Sequence, residues 1–382
     1  MTMYFVLIGI VFFIPLACAG IQNKELRDRR ILVLSMLTVF LLMALKAPTV
    51  GRDIDGYRRI YELMEYCSWQ NYDVSWMEWG YEFLTMVFVR IFHAPFQVFM
   101  ICVYGFLYFS YYCFFKRYSQ DYTTSVLLYI CFTFLTFDTS TVRTMLGVGI
   151  CLFAVPFAEK KGLKNTIFFF AITLLAAQIH KSAYIFLAVY FIIKVKFSIR
   201  TAVLYIGVPA FLLAFRSQLF ALINLYLKTV SEAGSAVGGN MLIYVLCLIL
   251  TGAIWYYYDR GTSATSLDLK IGRVTYTASD EISDAEGELI CYFNTTGLAM
   301  RLIYAGIIMQ LFAANSVLSR MAQYLQIFIL ILVPNNLCRL NTRSRMIMKM
   351  ILYLFAIIYF WYFSLAANAL DIVPYRFFWN VM

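Results

Sequence analysis

The stretch QVFMICVYGFLYFSYYCFF, Gln97–Phe115, decides the fold class. It has no charged residue and is followed at once by Lys116-Arg117. A helix of this length rises about 28 Å, close to the roughly 30 Å hydrocarbon thickness of a bilayer. An apolar run of this length closed by a basic pair is the pattern of a membrane-spanning helix with a cytoplasmic end.

The same grammar repeats along the chain. Apolar runs predict about twelve spans, at 3–20, 31–47, 97–115, 122–137, 143–158, 165–179, 182–194, 201–215, 240–258, 302–318, 321–338 and 346–368. Of the 382 residues, 62% are hydrophobic and 14% charged, and the mean hydropathy is +0.75. A water-soluble domain could not hide that much apolar surface. The expected fold is therefore all-α, a single polytopic integral membrane domain over residues 1–382. The net charge of +10 lies in short loops between apolar runs, so it sets orientation and does not point to nucleic acid. The nine cysteines are scattered, without a CxxC pair, and read as small buried apolar residues. The first run has no basic residues before it, which suits a span better than a signal peptide.

Alternate loops hold 20 of the 31 basic residues: 24–30, 116–117, 160–164, 194–200, 260–301 and 339–349. The positive-inside rule makes that side cytoplasmic and turns both termini outward. The segment 81–94 carries Glu82 and Arg90 and ends at His93-Ala94-Pro95. Counted as a span it would reverse every later loop, so it is expected to be a helix that lies at the membrane surface or re-enters, beside Trp79 and Tyr81. Two loops are long: 48–80, expected outside, and 259–301, expected in the cytoplasm. The second is rich in acids and has strand character over Leu269–Ala278. Ser231–Asn240 reads as a flexible outer loop.

This orientation gathers polar groups on the outer side. Asp53, Asp55 and Glu78 lie in the first long loop. Arg143 follows Asp138-Thr139-Ser140-Thr141, a run of helix-capping residue types. His180 sits in a turn before Lys181 and Ser182, Arg320 starts a span one turn before Tyr324, and Asp371, Tyr375 and Arg376 lie near the C-terminus. Each has a bland explanation. An arginine at a span end can snorkel to the headgroups. His180 can be a capping or packing residue, and His93 beside Ala94-Pro95 a turn residue. The aromatic wealth suits interfacial belts and needs no ligand. Asp53-Ile54-Asp55 has the spacing of a metal-binding DxD, but acids one residue apart are common in polar loops, and no metal is expected. Polar side chains at membrane depth are costly, however, and their gathering on one side favours a site. Arginine forks suit a diphosphate, and a carboxylate or imidazole beside them could act as a base.

These residues also carry a family resemblance. Gly51-x-Asp53 with Tyr57 and Tyr61, then Glu78-x-Gly80-Tyr81, resembles the first outer loop of the EpsG-like family of polysaccharide polymerases. Arg143 with Leu146-Gly147, followed by His180-Lys181-Ser182-Ala183, is similar to its "R…H-x-S-A" core. Ser319-Arg320-Met321 with Tyr324 resembles a later "R…Y" element, and Pro374-Tyr375-Arg376 its "PY(K/R)" ending. The family often has Arg-Gln where this chain has Arg143-Thr144.

The resemblance implies a Wzy-type glycosyltransferase of the bacterial inner membrane with a GT-C-like bundle and no cofactor. It implies that undecaprenyl-diphosphate-linked oligosaccharides are joined on the periplasmic face, among membrane lipids and alongside a chain-length regulator and a flippase. On that reading Arg143, Arg320 and Arg376 bind the diphosphate. Asp53, Asp55, Glu78 and His180 are the catalytic candidates, unranked. Tyr57, Tyr61, Tyr81, Tyr324 and Tyr375, with Trp76 and Trp79, face sugar. The rivals are an O-antigen ligase, a flippase of lipid-linked glycans and a structural scaffold. A flippase should carry charges at several depths, and a scaffold leaves the clustering unexplained.

Overall fold

Short polar residues set where several helices begin. In the computed structural model of the protein, the side chains of Asn23, Asp121 and Asn341 each accept a backbone N–H of the helix they precede. Each such cap satisfies one orphan donor of a helix N-terminus. The structure describes residues 1–71, 77–194, 244–253, 269–271, 274–276, 295–311 and 316–380. The expected span 201–215, the loop Ser231–Asn240 and Trp76 lie outside the described residues, as does most of the expected loop 259–301.

The helices run α1 (Thr2–Ala17), α2 (Lys24–Ala44), α3 (Ile54–Met64), α4 (Trp79–Arg90), α5 (Phe96–Tyr118), α6 (Tyr122–Cys131), α7 (Phe134–Ser140), α8 (Val142–Leu152), α9 (Val155–Glu159) and α10 (Leu163–Ile179). A 3₁₀ turn at Lys181–Phe186 leads into α11 (Leu187–Lys194). Then come α12 (Tyr244–Ala253), α13 (Thr295–Leu311), α14 (Ser316–Gln326), α15 (Ile329–Leu337) and α16 (Thr342–Tyr359). The last of these continues as a π-helical stretch, Phe360–Ala366. A small antiparallel hairpin, β1 (Leu269–Ile271) and β2 (Val274–Tyr276), occupies the segment with strand character.

Among the described residues three helices are long and apolar enough to cross a membrane: Phe96–Tyr118, Val142–Glu159 and Thr342–Ala366. Shorter apolar helices accompany them. Among the described residues many large apolar side chains face outward. α16 turns Met346, Met350, Leu354 and Ile358 outward, and α1 turns Phe13 and Leu16 outward. In water such patches would drive aggregation, whereas hydrocarbon accommodates them. The chain is a helical membrane protein.

The elements depart from the expected spans in instructive ways. α2 starts at Lys24, so the basic residues assigned to the first inner loop form its opening turns behind the Asn23 cap. The long outer loop is not all loop, because Asp53 is the N-cap of α3. The segment 81–94, by contrast, is helical as expected: α4 covers most of it and, at twelve residues, is too short to span. The expected span 122–137 breaks at Phe132–Thr133, where Thr133 takes the left-handed conformation (φ 72°), and restarts as the short α7. The span 143–158 breaks before Pro156, which lies in the first turn of α9. α13 begins inside the segment assigned to the second long loop.

α6 is buried along most of its length and packs against α1, α2, α15 and α16. The site lies to one side of it, where α8, α10, the 3₁₀ turn and α14 meet.

Candidate functional site

Two separate segments converge on one carboxylate. Glu78 ends the outer loop as the N-cap of α4. Its Oε2 accepts from Arg143 Nη1 at 2.7 Å. Its Oε1 accepts the Lys181 backbone N–H at 3.0 Å and lies 2.9 Å from His180 Nδ1. Arg143 comes from the first turn of α8, and His180 and Lys181 from the turn that closes α10.

Gly80 makes the meeting possible. A Cβ there would lie 2.7 Å from both Cβ and O of Gln178, so the start of α4 rests directly on the last turn of α10. Any side chain would push Glu78 away from His180.

The electrostatics follow from this packing. Burial pushes the Glu78 carboxyl up, yet His180, the Lys181 N–H and Arg143 together overcome that and pull it down to about 2. Glu78 is therefore an ionised acceptor at neutral pH. An ionised carboxylate can only accept, so the hydrogen bond places a proton on His180 Nδ1, and in the neutral ring the lone pair is then on Nε2.

Arg143 is 2% exposed. Its guanidinium lies over the rings of Tyr57, at 5.5 Å, and Tyr81, at 5.7 Å, and these two rings touch each other at 5.9 Å. It is held by a carboxylate on one side and two aromatic faces on the other.

A second pair lies nearby. Arg320 Nη2 is 3.5 Å from Asp53 Oδ2, and the two side chains are 30% and 28% exposed. Tyr57 joins the two pairs. Burial raises its hydroxyl pKa, Arg143 and Arg320 oppose that rise, and Asp53 adds to it. One turn beyond Arg320, Tyr324 donates to the Thr144 carbonyl at 3.1 Å and receives the Ser182 hydroxyl at 3.3 Å. Gly147 lies directly beneath the Tyr324 hydroxyl, where a Cβ would collide with it. The segments around Glu78, Arg143, His180 and Arg320 thus meet at one place.

Other candidates lie elsewhere. Asp55 is clamped on its own helix by Arg58 and Arg59, which hold its carboxyl below the usual range. The two acids of the DxD thus serve different arginines. Tyr61 is buried against Phe96 and Phe99 and donates to the Ala94 carbonyl at 2.6 Å. Tyr57, Tyr81 and Tyr324 are buried as well, so none of these four tyrosines presents an open ring face to a sugar. Trp79 does remain exposed, stacked on Phe83 at 5.4 Å.

Near the C-terminus, the chain docks on residues 45–52 through backbone hydrogen bonds. The Ala47 N–H donates to the Arg376 carbonyl, and the Gly51 N–H to the Asp371 carbonyl. Arg376 itself is exposed, and Tyr375 donates to the Leu42 carbonyl. His93 is an exposed turn residue with φ 46°.

Sequence reading missed the surroundings of Asp138. It stands among helix-capping residue types, yet it caps nothing and is buried among tyrosines. The signal was present in the opening stretch: Tyr104, Tyr108 and Tyr111 recur at i, i+4 and i+7, one face of α5.

The sequence model of the EpsG family matches residues 29–377. The chain belongs to the EpsG family. That membership gives a polysaccharide-polymerase type of function. No curated protein and no solved structure matches the chain.

Proposed function

We propose that this EpsG-family protein is a Wzy-type glycosyltransferase that extends lipid-linked oligosaccharides on the periplasmic face of the bacterial inner membrane. The observation that carries the reading is the Glu78–His180 pair, in which an ionised carboxylate fixes one imidazole nitrogen; the other nitrogen is the proposed base. Such a pair is what removing a proton from an acceptor sugar hydroxyl needs.

In the proposed reaction the acceptor oxygen attacks the anomeric carbon of the donor glycan. The bond from that carbon to the diphosphate oxygen breaks, the acceptor proton passes to His180 Nε2, and undecaprenyl diphosphate departs. Arg320 is the arginine best placed for the diphosphate. It is partly exposed, and its pairing with Asp53 is loose enough for a more highly charged anion to displace. Arg376, on the exposed tail, is a second contact. Arg143 is too buried for that task and acts through Glu78, by fixing where the carboxylate sits. Asp53 then serves as a placeholder for the anion, and Asp55 lies outside the reaction. The remaining features of the reading are about twelve spans in a GT-C-like arrangement, outer loops that receive sugar with Trp79 as an open stacking face, and accessory chain-length and flippase partners.

The test is reconstitution of the purified protein in liposomes with a defined undecaprenyl-diphosphate-linked repeat unit and excess chelator. A ladder of longer products supports the proposal. Translocation of the unit without any ladder overturns it in favour of a flippase, and transfer only to a lipid A acceptor points to a ligase.

A further inference from the structure

We propose that Asp138 is a positioning residue for the cluster around Glu78. The inference rests on the functional reading above only for its turnover arm. Asp138 is completely buried on α7, between α5 and α6. Its carboxyl group takes the hydroxyl of Tyr111 at 3.2 Å on one oxygen and that of Tyr129 on the other. Tyr108 bonds Tyr129 at 2.9 Å, and Tyr104 donates to the Asp138 carbonyl at 3.1 Å. All four rings are buried. Ionisable groups so deep in a membrane bundle are kept because they do something.

The fold shows what this network holds. α7 has only seven residues, with the left-handed Thr133 before it and the non-helical Thr141 after it. Continuity with neighbouring helices is interrupted at both ends, so side-chain anchoring must fix its position. The Asp138 bonds supply that anchor to α5 and α6. Two residues on, the Ser140 hydroxyl accepts the Asp53 N–H at 3.4 Å. Between them, the Thr139 carbonyl lies where a Cβ on Gly51 would stand. Five residues on, Arg143 reaches Glu78. One buried carboxyl group thereby sets the position of Asp53 and, through Arg143, of Glu78 and His180. The tyrosines that the sequence assigned to interfacial belts act here as donors to a buried acid.

The test uses Asp138→Asn and the double variant Tyr111→Phe/Tyr129→Phe, which removes the hydroxyls and keeps the rings. A cavity control, Leu128→Ala, lies buried in α6 outside the network. All are made in full-length protein carrying His93→Gln, which leaves His180 as the one remaining histidine. The first readout is the rate at which diethylpyrocarbonate acylates His180, which needs no turnover. The second is the kcat and KM for ladder formation. The expected result is at least a threefold change in acylation rate and at least a tenfold loss of kcat, with KM within threefold, in both network variants. Leu128→Ala of equal melting loss should keep the parental acylation rate.

Network variants that match Leu128→Ala in both readouts overturn the proposal. If Asp138→Asn does not fold, the Phe double variant decides the matter, since it adds no volume and introduces no charge. If the parent protein makes no ladder, the functional reading fails while the acylation rates still decide the positioning role.

Discussion

Replacing Glu78 with glutamine keeps the shape of the side chain and removes its charge. Glu78 accepts three hydrogen bonds, from Arg143, His180 and the Lys181 N–H. An amide has one acceptor oxygen, so its NH₂ must face at least one of those donors. The fall of the carboxyl from its ordinary 4.5 to about 2 corresponds to a stabilisation of about 3 kcal/mol. Charge-assisted hydrogen bonds of about 1.5–3 kcal/mol each, less the cost of burial, give the same size.

Glu78→Gln should therefore lower unfolding free energy by about 3 kcal/mol at neutral pH. The folded-state carboxyl is the stronger acid, so its contribution is full above the ordinary value of 4.5 and is lost as the pH falls toward 2. The gap between wild type and variant should close over that window. Polymer formation should fall about 10²–10⁴-fold, the range for a mispositioned general base. The assays are denaturant unfolding in micelles between pH 3 and 7 and ladder formation at matched protein level. A variant with wild-type stability that makes ladders within threefold of wild type would refute the reasoning.

Arg320→Ala breaks a partly exposed pair worth about 0–1 kcal/mol, so thermal melting should barely move, whereas the KM for the lipid-linked donor should rise at least tenfold. Asp55→Asn breaks the pairs with Arg58 and Arg59 on the surface of α3, where Arg58 keeps Glu62, and should leave the rate of ladder formation within twofold of wild type. Sidedness is checked by cysteine labelling in intact cells followed by peptide mapping. Lys181→Cys should react with a membrane-impermeant maleimide and Lys160→Cys should not, and the reverse pattern would place the site in the cytoplasm.

Apolar runs marked the helices well, because hydrophobicity is a local property of the chain. Phe96–Tyr118 lies within a few residues of its expected span. Breaks inside the runs were not read: 143–158 was taken as one span although Pro156 stands next to its interruption. Thr133 takes a left-handed conformation that composition does not signal, so the break between α6 and α7 was invisible. The site was legible as a set of residues on one side, since charge in an apolar chain is conspicuous. Its internal order was not. The i,i+3 and i,i+4 spacing of Asp55 to Arg58 and Arg59 was there to read once α3 is a helix, but nothing in the sequence says that Glu78 meets Arg143 and His180, which depends on Gly80 resting on Gln178. The tyrosines misled for a similar reason. Burial separates a ring that could face sugar from one packed in the core, and burial is a property of the assembled bundle.

The proposed reaction depends most directly on Nε2 of His180. Single-turnover ladder formation, with purified wild type and His180→Gln and with donor binding measured in parallel, tests it. The account predicts a rate at least 10²-fold lower for the variant, with donor affinity within threefold of wild type. A variant that elongates the donor at the wild-type rate would contradict it and move the proton transfer to another group.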